Sequence, residues 1–91
     1  MAFAYAIAYD SVDRRLAHVL LRLSDDFGKT LPFTHKEISE MGGTALETSI
    51  RVLSKMKRKG WLTVKRGQIS LLKVGELRKI INSEDGRNNK G

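Results

Sequence analysis

The sequence predicts a mainly α-helical fold that includes one small β-hairpin. Three observations support this prediction: an amphipathic stretch begins near Ser11, two capped helical segments flank Gly42 and Gly43, and two strand-like runs flank a glycine-containing turn near position 67. With 91 residues, the chain has room for one small hydrophobic core. We therefore expect a single domain over residues 11–81.

The first helix is predicted by hydrophobic periodicity. Ser11 is a suitable N-cap, and Asp13 lies in the first turn, where the helix dipole favours an acidic side chain. Gly28 marks the end of this helix, and residues 31–33 should be extended because proline disfavours a helical conformation in the residue before it. The apolar residues that form one buried stripe are Val12, Leu16, Val19, Leu20 and Leu23.

Two capping boxes follow in the next segment. Thr34 with Glu37 opens a short helix, and Thr44 with Glu47 opens a second helix that we expect over residues 44–59. Only two glycines separate these helices, and glycine tolerates the positive φ that a tight corner requires. A short helix, a glycine turn and a second capped helix together indicate a helix-turn-helix.

The remainder of the chain predicts a hairpin and a closing helix. Residues 61–64 and 69–72 are the two strand-like runs, joined by a turn at 65–68. An amphipathic stretch over 74–81 indicates a last helix, and the polar residues 82–91 are expected to form a disordered tail. The predicted fold is therefore a winged helix-turn-helix, with a three-helix core and the hairpin as its wing.

The positive charge of the chain is concentrated in its second half. The net charge is +7, yet residues 1–50 hold five basic and seven acidic residues, whereas residues 51–91 hold twelve basic and three acidic residues. Seven basic residues and no acid occur from Arg51 to Arg66. This asymmetry is typical of a protein that neutralises phosphates, although a solvated surface or a polybasic membrane patch has the same composition.

The second helix of the motif has one charged and one apolar side. At 100° per residue, Glu47 and Arg51 lie on the charged side, and Met56 lies roughly opposite them. An arginine can bond to guanine and a carboxylate can accept from cytosine in the major groove of DNA. We therefore predict base contacts by these two residues; the alternative is a local surface ion pair.

Phosphate contacts are expected from the helix N-termini, the second helix and the wing tip, because hydroxyls, cations and free backbone N–H groups lie there. Trp61 is predicted to anchor the hairpin in the core rather than to stack on a base. The candidate phosphate-binding residues are Thr34, His35, Lys36, Thr44, Thr48, Lys55, Lys65 and Arg66.

Several classes of function find no support in the residues. The chain has no cysteine, which excludes a disulfide, a thiolate metal site and a cysteine nucleophile within it. His18 and His35 lie far apart with no acidic cluster beside them, so no metal site, cofactor or catalytic centre is predicted. We expect a cytoplasmic protein that is not an enzyme, with no membrane segment.

Four segments of the chain are familiar in this order: SVDRRLAHVLL (11–21), FTHKEISEMGG (33–43), LETSIRVL (46–53) and KGWLTV (59–64). Together they resemble the C-terminal DNA-binding domain of the Crp/Fnr family of bacterial transcription regulators. The resemblance implies a winged helix in which Glu47 and Arg51 read bases. It also implies that Thr48 and the turn at 34–36 bind phosphates.

Three positions depart from the family pattern. Leu46 stands where the cyclic-AMP-responsive branch has an arginine, whereas the Fnr branch has an apolar residue there. Ile50 stands where a small or polar residue is usual, and Ser49 where an apolar residue is usual. Either the helix is slightly rotated, or Ile50 contacts a thymine methyl group; Leu46 and Ile50 are included among the predicted base contacts.

The resemblance also bears on partners. Family members carry a sensor domain and a dimerisation helix, so residues 1–10 are expected to be the remnant of that helix and its hinge. The chain is then either an excised domain or a naturally truncated protein. The expected partners are double-stranded DNA, a second copy of the chain and RNA polymerase; the alternative function is a protein-interaction module whose basic face binds an acidic partner.

Overall fold

A computed structural model describes the backbone of residues 11–90 and the side chains of residues 11–82. The described chain forms four helices and three strands. They are α1 (Ser11–Phe27), β1 (Thr30–Leu31), α2 (His35–Met41), α3 (Leu46–Arg58), β2 (Leu62–Lys65), β3 (Gln68–Leu71) and α4 (Val74–Lys90). None of the helices described is long and apolar enough to cross a bilayer.

The strands form one antiparallel sheet in the order β1-β3-β2. The predicted hairpin is confirmed, with Leu62 opposite Leu71, but Lys65 and Gln68, which were predicted to lie in the turn, form the last pair of the strands. On the other edge of β3, Leu31 pairs with Ile69. The extended segment that was predicted around Pro32 therefore begins at Thr30, where it fixes the hairpin against the helices.

A single core joins the helices to the sheet. Trp61 is 9% exposed just before β2, which confirms its predicted role as a core anchor. Burial of this apolar surface is the main source of stability in a domain of this size. The large side chains that are at most 1% exposed include Leu16, Leu20, Leu31, Ile38, Val52, Leu53, Met56, Leu62, Ile69, Leu77 and Ile80.

The first capping box is present in full. The backbone N–H of Glu37 donates to Thr34 Oγ1 at 3.1 Å, and the backbone N–H of Thr34 donates to Glu37 Oε1 at 2.9 Å. Both groups would otherwise lack a partner at the start of α2. The helix therefore begins as the sequence predicted.

The second capping box was predicted wrongly. The N-cap of α3 is Ala45, which makes no side-chain capping bond, and the helix runs from Leu46 to Arg58 rather than over 44–59. The backbone N–H of Thr44 donates instead to Ser39 O at 3.0 Å. Thr44 therefore belongs to the turn between the two helices, because its own backbone closes that turn.

The predictions for the two ends of the chain have different outcomes. Helix α4 continues to Lys90, so the backbone is helical over most of the range predicted as a disordered tail. Helix propagation adds one backbone hydrogen bond per residue, and no proline interrupts this range. The dimerisation-helix remnant predicted for 1–10 lies outside the described residues, and the domain boundaries stay a prediction.

Candidate nucleic-acid interface

Helix α3 presents a mixed polar and apolar surface to solvent. Leu46 is 43% exposed and Ile50 is 41% exposed, and both Glu47 and Arg51 are exposed beside them. We call these four residues the reading face. On the inward side of α3, the buried residues Ser49, Val52, Leu53 and Met56 fix the helix against the core.

The two charged members of the reading face are available for an external ligand. Within residues 11–82, neither the side chain of Glu47 nor that of Arg51 forms a hydrogen bond or an ion pair. The local ion pair that was the alternative interpretation is not formed. A carboxylate acceptor and a guanidinium donor therefore lie one helical turn apart and face solvent.

The structure distinguishes the two interpretations of positions 49 and 50. Ser49 is fully buried and Ile50 is exposed, so α3 is not rotated to place the isoleucine inside. In a simple amphipathic helix the isoleucine would be buried and the serine exposed, whereas here the serine is buried and the isoleucine is exposed. Ile50 is thus an apolar group on the surface that was predicted to contact bases.

Ser49 leads to a prediction about stability. In the described part of the chain, its Oγ has no hydrogen-bond partner. An unsatisfied buried polar group costs about 1 to 3 kcal/mol, and alanine is also the better helix former. Ser49→Ala should therefore raise the free energy of unfolding by about 1 kcal/mol, measured by urea denaturation.

Ser54→Ala is the control for Ser49→Ala. Ser54 lies on the same helix but is only half-buried, so its change should alter stability by a few tenths of a kcal/mol at most. A loss of stability in Ser49→Ala would show that the hydroxyl is satisfied in the folded protein.

A second surface lies between the wing and the start of α2. It is a groove of about 320 Å³, which we call the wing groove. It brings together four of the predicted phosphate contacts, Thr34, His35, Lys65 and Arg66, although the Thr34 hydroxyl already takes part in the capping box. The other lining residues are Phe33, Val64 and Gly67.

The remaining phosphate candidates lie elsewhere. Lys36 is exposed on α2 but does not line the wing groove. Thr44 and Thr48 are half-buried near the start of α3. Four candidates therefore line the wing groove and two lie near the start of α3, whereas Lys36 is exposed on α2 outside the groove.

Lys55 is the exception among these candidates. Its Nζ lies 2.6 Å from Asp13 Oδ2, so the ammonium predicted to contact phosphate is engaged inside the protein. The sequence held a signal for this contact: Asp13 precedes Leu16 and Leu20 by three and seven residues, which places it on the buried stripe of α1. Asp13 was predicted only to interact with the helix dipole.

A protein-family model for the Crp-like helix-turn-helix domain matches residues 14–80. The chain belongs to this family. The predicted family and the winged helix-turn-helix fold are thereby confirmed. Family membership also supports a DNA-binding role in transcription regulation for the Crp-like domain described here.

Three solved structures show the same fold. A catabolite activator protein from Thermus thermophilus is 24% identical, with 87% of this chain and 38% of that chain covered and a TM-score of 0.76. A CRP/FNR-family transcriptional regulator, also from Thermus thermophilus, is 28% identical, with 86% and 44% covered and a TM-score of 0.73. A crp/fnr-family regulator from Eubacterium rectale is 28% identical, with 86% and 37% covered and a TM-score of 0.76.

The Crp-like domain therefore spans less than half the length of these three regulators. No curated protein sequence matches the chain. Among the residues that the structure describes, no cluster of three or more histidine, cysteine or acidic side chains could hold a metal ion.

Proposed function

We propose that the chain is a sequence-specific, double-stranded DNA-binding transcription regulator that inserts α3 into the major groove. The observation that carries this proposal is the reading face, where Glu47 and Arg51 are exposed and have no partner within residues 11–82. The width of the major groove admits an α-helix. The charged groups of such a surface would form hydrogen bonds when the surface contacts base edges.

Each charged group has a base that suits it. The guanidinium of Arg51 can donate two hydrogen bonds to O6 and N7 of guanine, and the carboxylate of Glu47 can accept from N4 of cytosine. Since the two side chains lie one helical turn apart, they reach neighbouring base pairs. This arrangement supports readout of a short half-site by the proposed DNA-binding helix.

The groups around the reading face would hold the DNA backbone. Lys65 and Arg66 at the wing, with Thr34, His35 and Lys36 at the start of α2, would contact phosphates on one side. Thr44 and Thr48 would contact phosphates beside α3. Such contacts fix the position of the domain on the duplex and carry no sequence information themselves.

The regulator would act as a dimer. Dimeric helix-turn-helix proteins bind two half-sites whose centres lie about 10 to 10.5 base pairs apart, one turn of DNA. We propose the same spacing for two copies of this chain. RNA polymerase as a further partner and a cytoplasmic location remain predictions.

Selection of duplexes from a random library tests the proposal directly. The expected result is enrichment of a pseudo-palindrome with a G·C pair in each half-site. Binding that random duplex DNA competes away completely, with no enriched sequence, would contradict sequence-specific recognition. Retention of an acidic protein partner in the presence of excess random duplex would favour a protein-interaction module instead.

Leu46 and Ile50 give a prediction about thymine. Both are exposed apolar side chains on the reading face, and burial of one methyl group contributes roughly 0.8 kcal/mol. Replacing a thymine of the selected half-site by deoxyuridine removes only that methyl group. At the contacted position we expect affinity to fall about fourfold, measured by fluorescence anisotropy.

The Ile50→Ser variant is the control for methyl recognition. At the thymine that Ile50 contacts, this variant should bind the thymine and deoxyuridine duplexes equally, because serine leaves no apolar surface for that methyl group. If deoxyuridine left the affinity of the wild type unchanged at every thymine of the half-site, the apolar residues would not contact thymine.

A further inference from the structure

The first turn of α1 makes an unusually buried contact with the DNA-reading helix. Asp13 is 1% exposed, and its Oδ2 accepts a hydrogen bond from Lys55 Nζ at 2.6 Å. The two residues are 42 positions apart in the chain, and the side chain of Lys55 is 33% exposed. The carboxylate therefore lies under α3, and the ammonium reaches inward to meet it.

A carboxylate in such a place requires its partner. An ionised group taken out of water is costly unless it is paired, and a charge-assisted hydrogen bond has strict geometry. A buried ion pair is weak support for net stability, and its clearest value is to select one arrangement of the elements it joins. Lys55 lies one helical turn after Arg51, so fixing Lys55 fixes the reading face.

A second contact from the same turn of α1 supports this role. Arg15 Nη1 donates to the backbone carbonyls of Gly42 and Gly43, at 3.2 Å in each case. These glycines form the corner between α2 and α3. One turn of α1 therefore contacts both the corner of the helix-turn-helix and the last turn of its second helix.

We propose that Asp13 is a positioning residue for DNA readout: through Lys55 it sets the placement of α3, and it keeps the Lys55 ammonium away from DNA phosphates. The proposal deepens the proposed function and rests on it for its DNA-binding consequences. It assigns to Asp13 a role in specificity without any contact with DNA.

The test compares Asp13→Asn with wild type in the full chain. Asparagine keeps the shape of the side chain but releases the Lys55 charge. The salt dependence of duplex binding is the slope of log K against the logarithm of the salt concentration. This slope should become steeper by about 0.9, as expected for one additional phosphate contact. The ratio of specific to random duplex affinity should fall about tenfold, the equivalent of weakening one base-pair contact.

Two further variants isolate the effect. Asp26→Asn removes the same charge from an exposed position of α1, so it should leave the salt dependence and the specificity ratio unchanged. Lys55→Met should also leave the salt dependence unchanged, whereas Lys65→Ala should reduce it by about 0.9. A reduction in Lys55→Met would show that Lys55 binds phosphate and would overturn the proposal.

The unfolding midpoint is measured for every variant, and the binding assays are run where each remains folded. If Asp13→Asn lowers only the midpoint and the folded variant keeps the wild-type specificity ratio, Asp13 is merely structural and the proposal fails. The double variant Asp13→Asn, Lys55→Met removes both charges of the pair. It should return the salt dependence to the wild-type value, while the specificity ratio stays low.

A measurement without DNA separates this proposal from the proposed function. Asp13→Asn should shift the backbone amide resonances of residues 46–51 in NMR spectra, and Asp26→Asn should not. If wild type failed to bind any duplex, the proposed function would fall, yet these shifts would still support the positioning of α3 by Asp13. Their absence would overturn the positioning role whether or not DNA binds.

Discussion

Arg51→Ala should lower affinity for the selected operator by about 5- to 150-fold, which corresponds to about 1 to 3 kcal/mol for a lost bidentate contact with guanine. Affinity for random duplex DNA should change far less, because Arg51 is expected to contact a base rather than the backbone. Specificity should relax at one base pair of each half-site. Fluorescence anisotropy with operator and random duplexes at one fixed salt concentration measures both effects.

Lys65→Ala is the matched control for Arg51→Ala. Both changes remove one exposed positive charge, but Lys65 lies at the wing groove. Its loss should weaken all sequences alike and reduce the salt dependence by about 0.9. Equal weakening of operator and random duplex by both substitutions would show that Arg51 does not read a base.

Gly42→Ala is expected to destabilise the fold by about 1 to 3 kcal/mol, the usual cost of overpacking a core. A Cβ atom at this position would lie 2.7 Å from Leu16 Cδ2, and Leu16 is completely buried. Its terminal methyl group therefore has little room to move aside. Urea denaturation measures the change in the free energy of unfolding.

The neighbouring glycine should be sensitive for a different reason. Gly43 has a φ of +64°, and no atom lies within 4 Å of the position that a Cβ would occupy, so alanine would fit but would adopt a strained backbone. The cost of Gly43→Ala should be about 1 to 2 kcal/mol. Arg15 donates to both glycine carbonyls, so both substitutions act on the same corner.

Gly75→Ala provides the contrasting result. Gly75 lies in the first turn of α4, with open space around it and no positive φ. Alanine should stabilise the protein by about 0.5 to 1 kcal/mol, through helix propensity and a less flexible unfolded chain. If Gly42→Ala did not lower the free energy of unfolding, the close approach of the corner to Leu16 would not constrain the fold.

Features with a short-range cause were predictable. The stripe of α1 depends on residues three and four apart, and the first capping box depends on Thr34 and Glu37 alone. The hairpin required only two apolar runs and the turn between them. The outward position of Glu47 and Arg51 followed from helical spacing once a helix was assigned.

The second capping box shows why such reasoning can fail. Thr44 and Glu47 have the same spacing as Thr34 and Glu37, yet Ala45 is the N-cap of α3. The backbone N–H of Thr44 is committed to Ser39 O, because the corner closes back on α2. A local motif gives no information about whether its backbone is already used by a tertiary turn.

By itself, the sequence determined the order of the elements, the cationic helix and the exposed pair at positions 47 and 51, because each depends on residues close together in the chain. Only the tertiary structure decided that Asp13 binds Lys55, that Leu31 pairs with Ile69, and that Ile50 rather than Ser49 faces solvent. A lysine can form an ion pair with any of several acidic residues, and a strand can pair with any of several strand edges. Packing of the whole core selects among these alternatives, since only one arrangement buries the apolar side chains together.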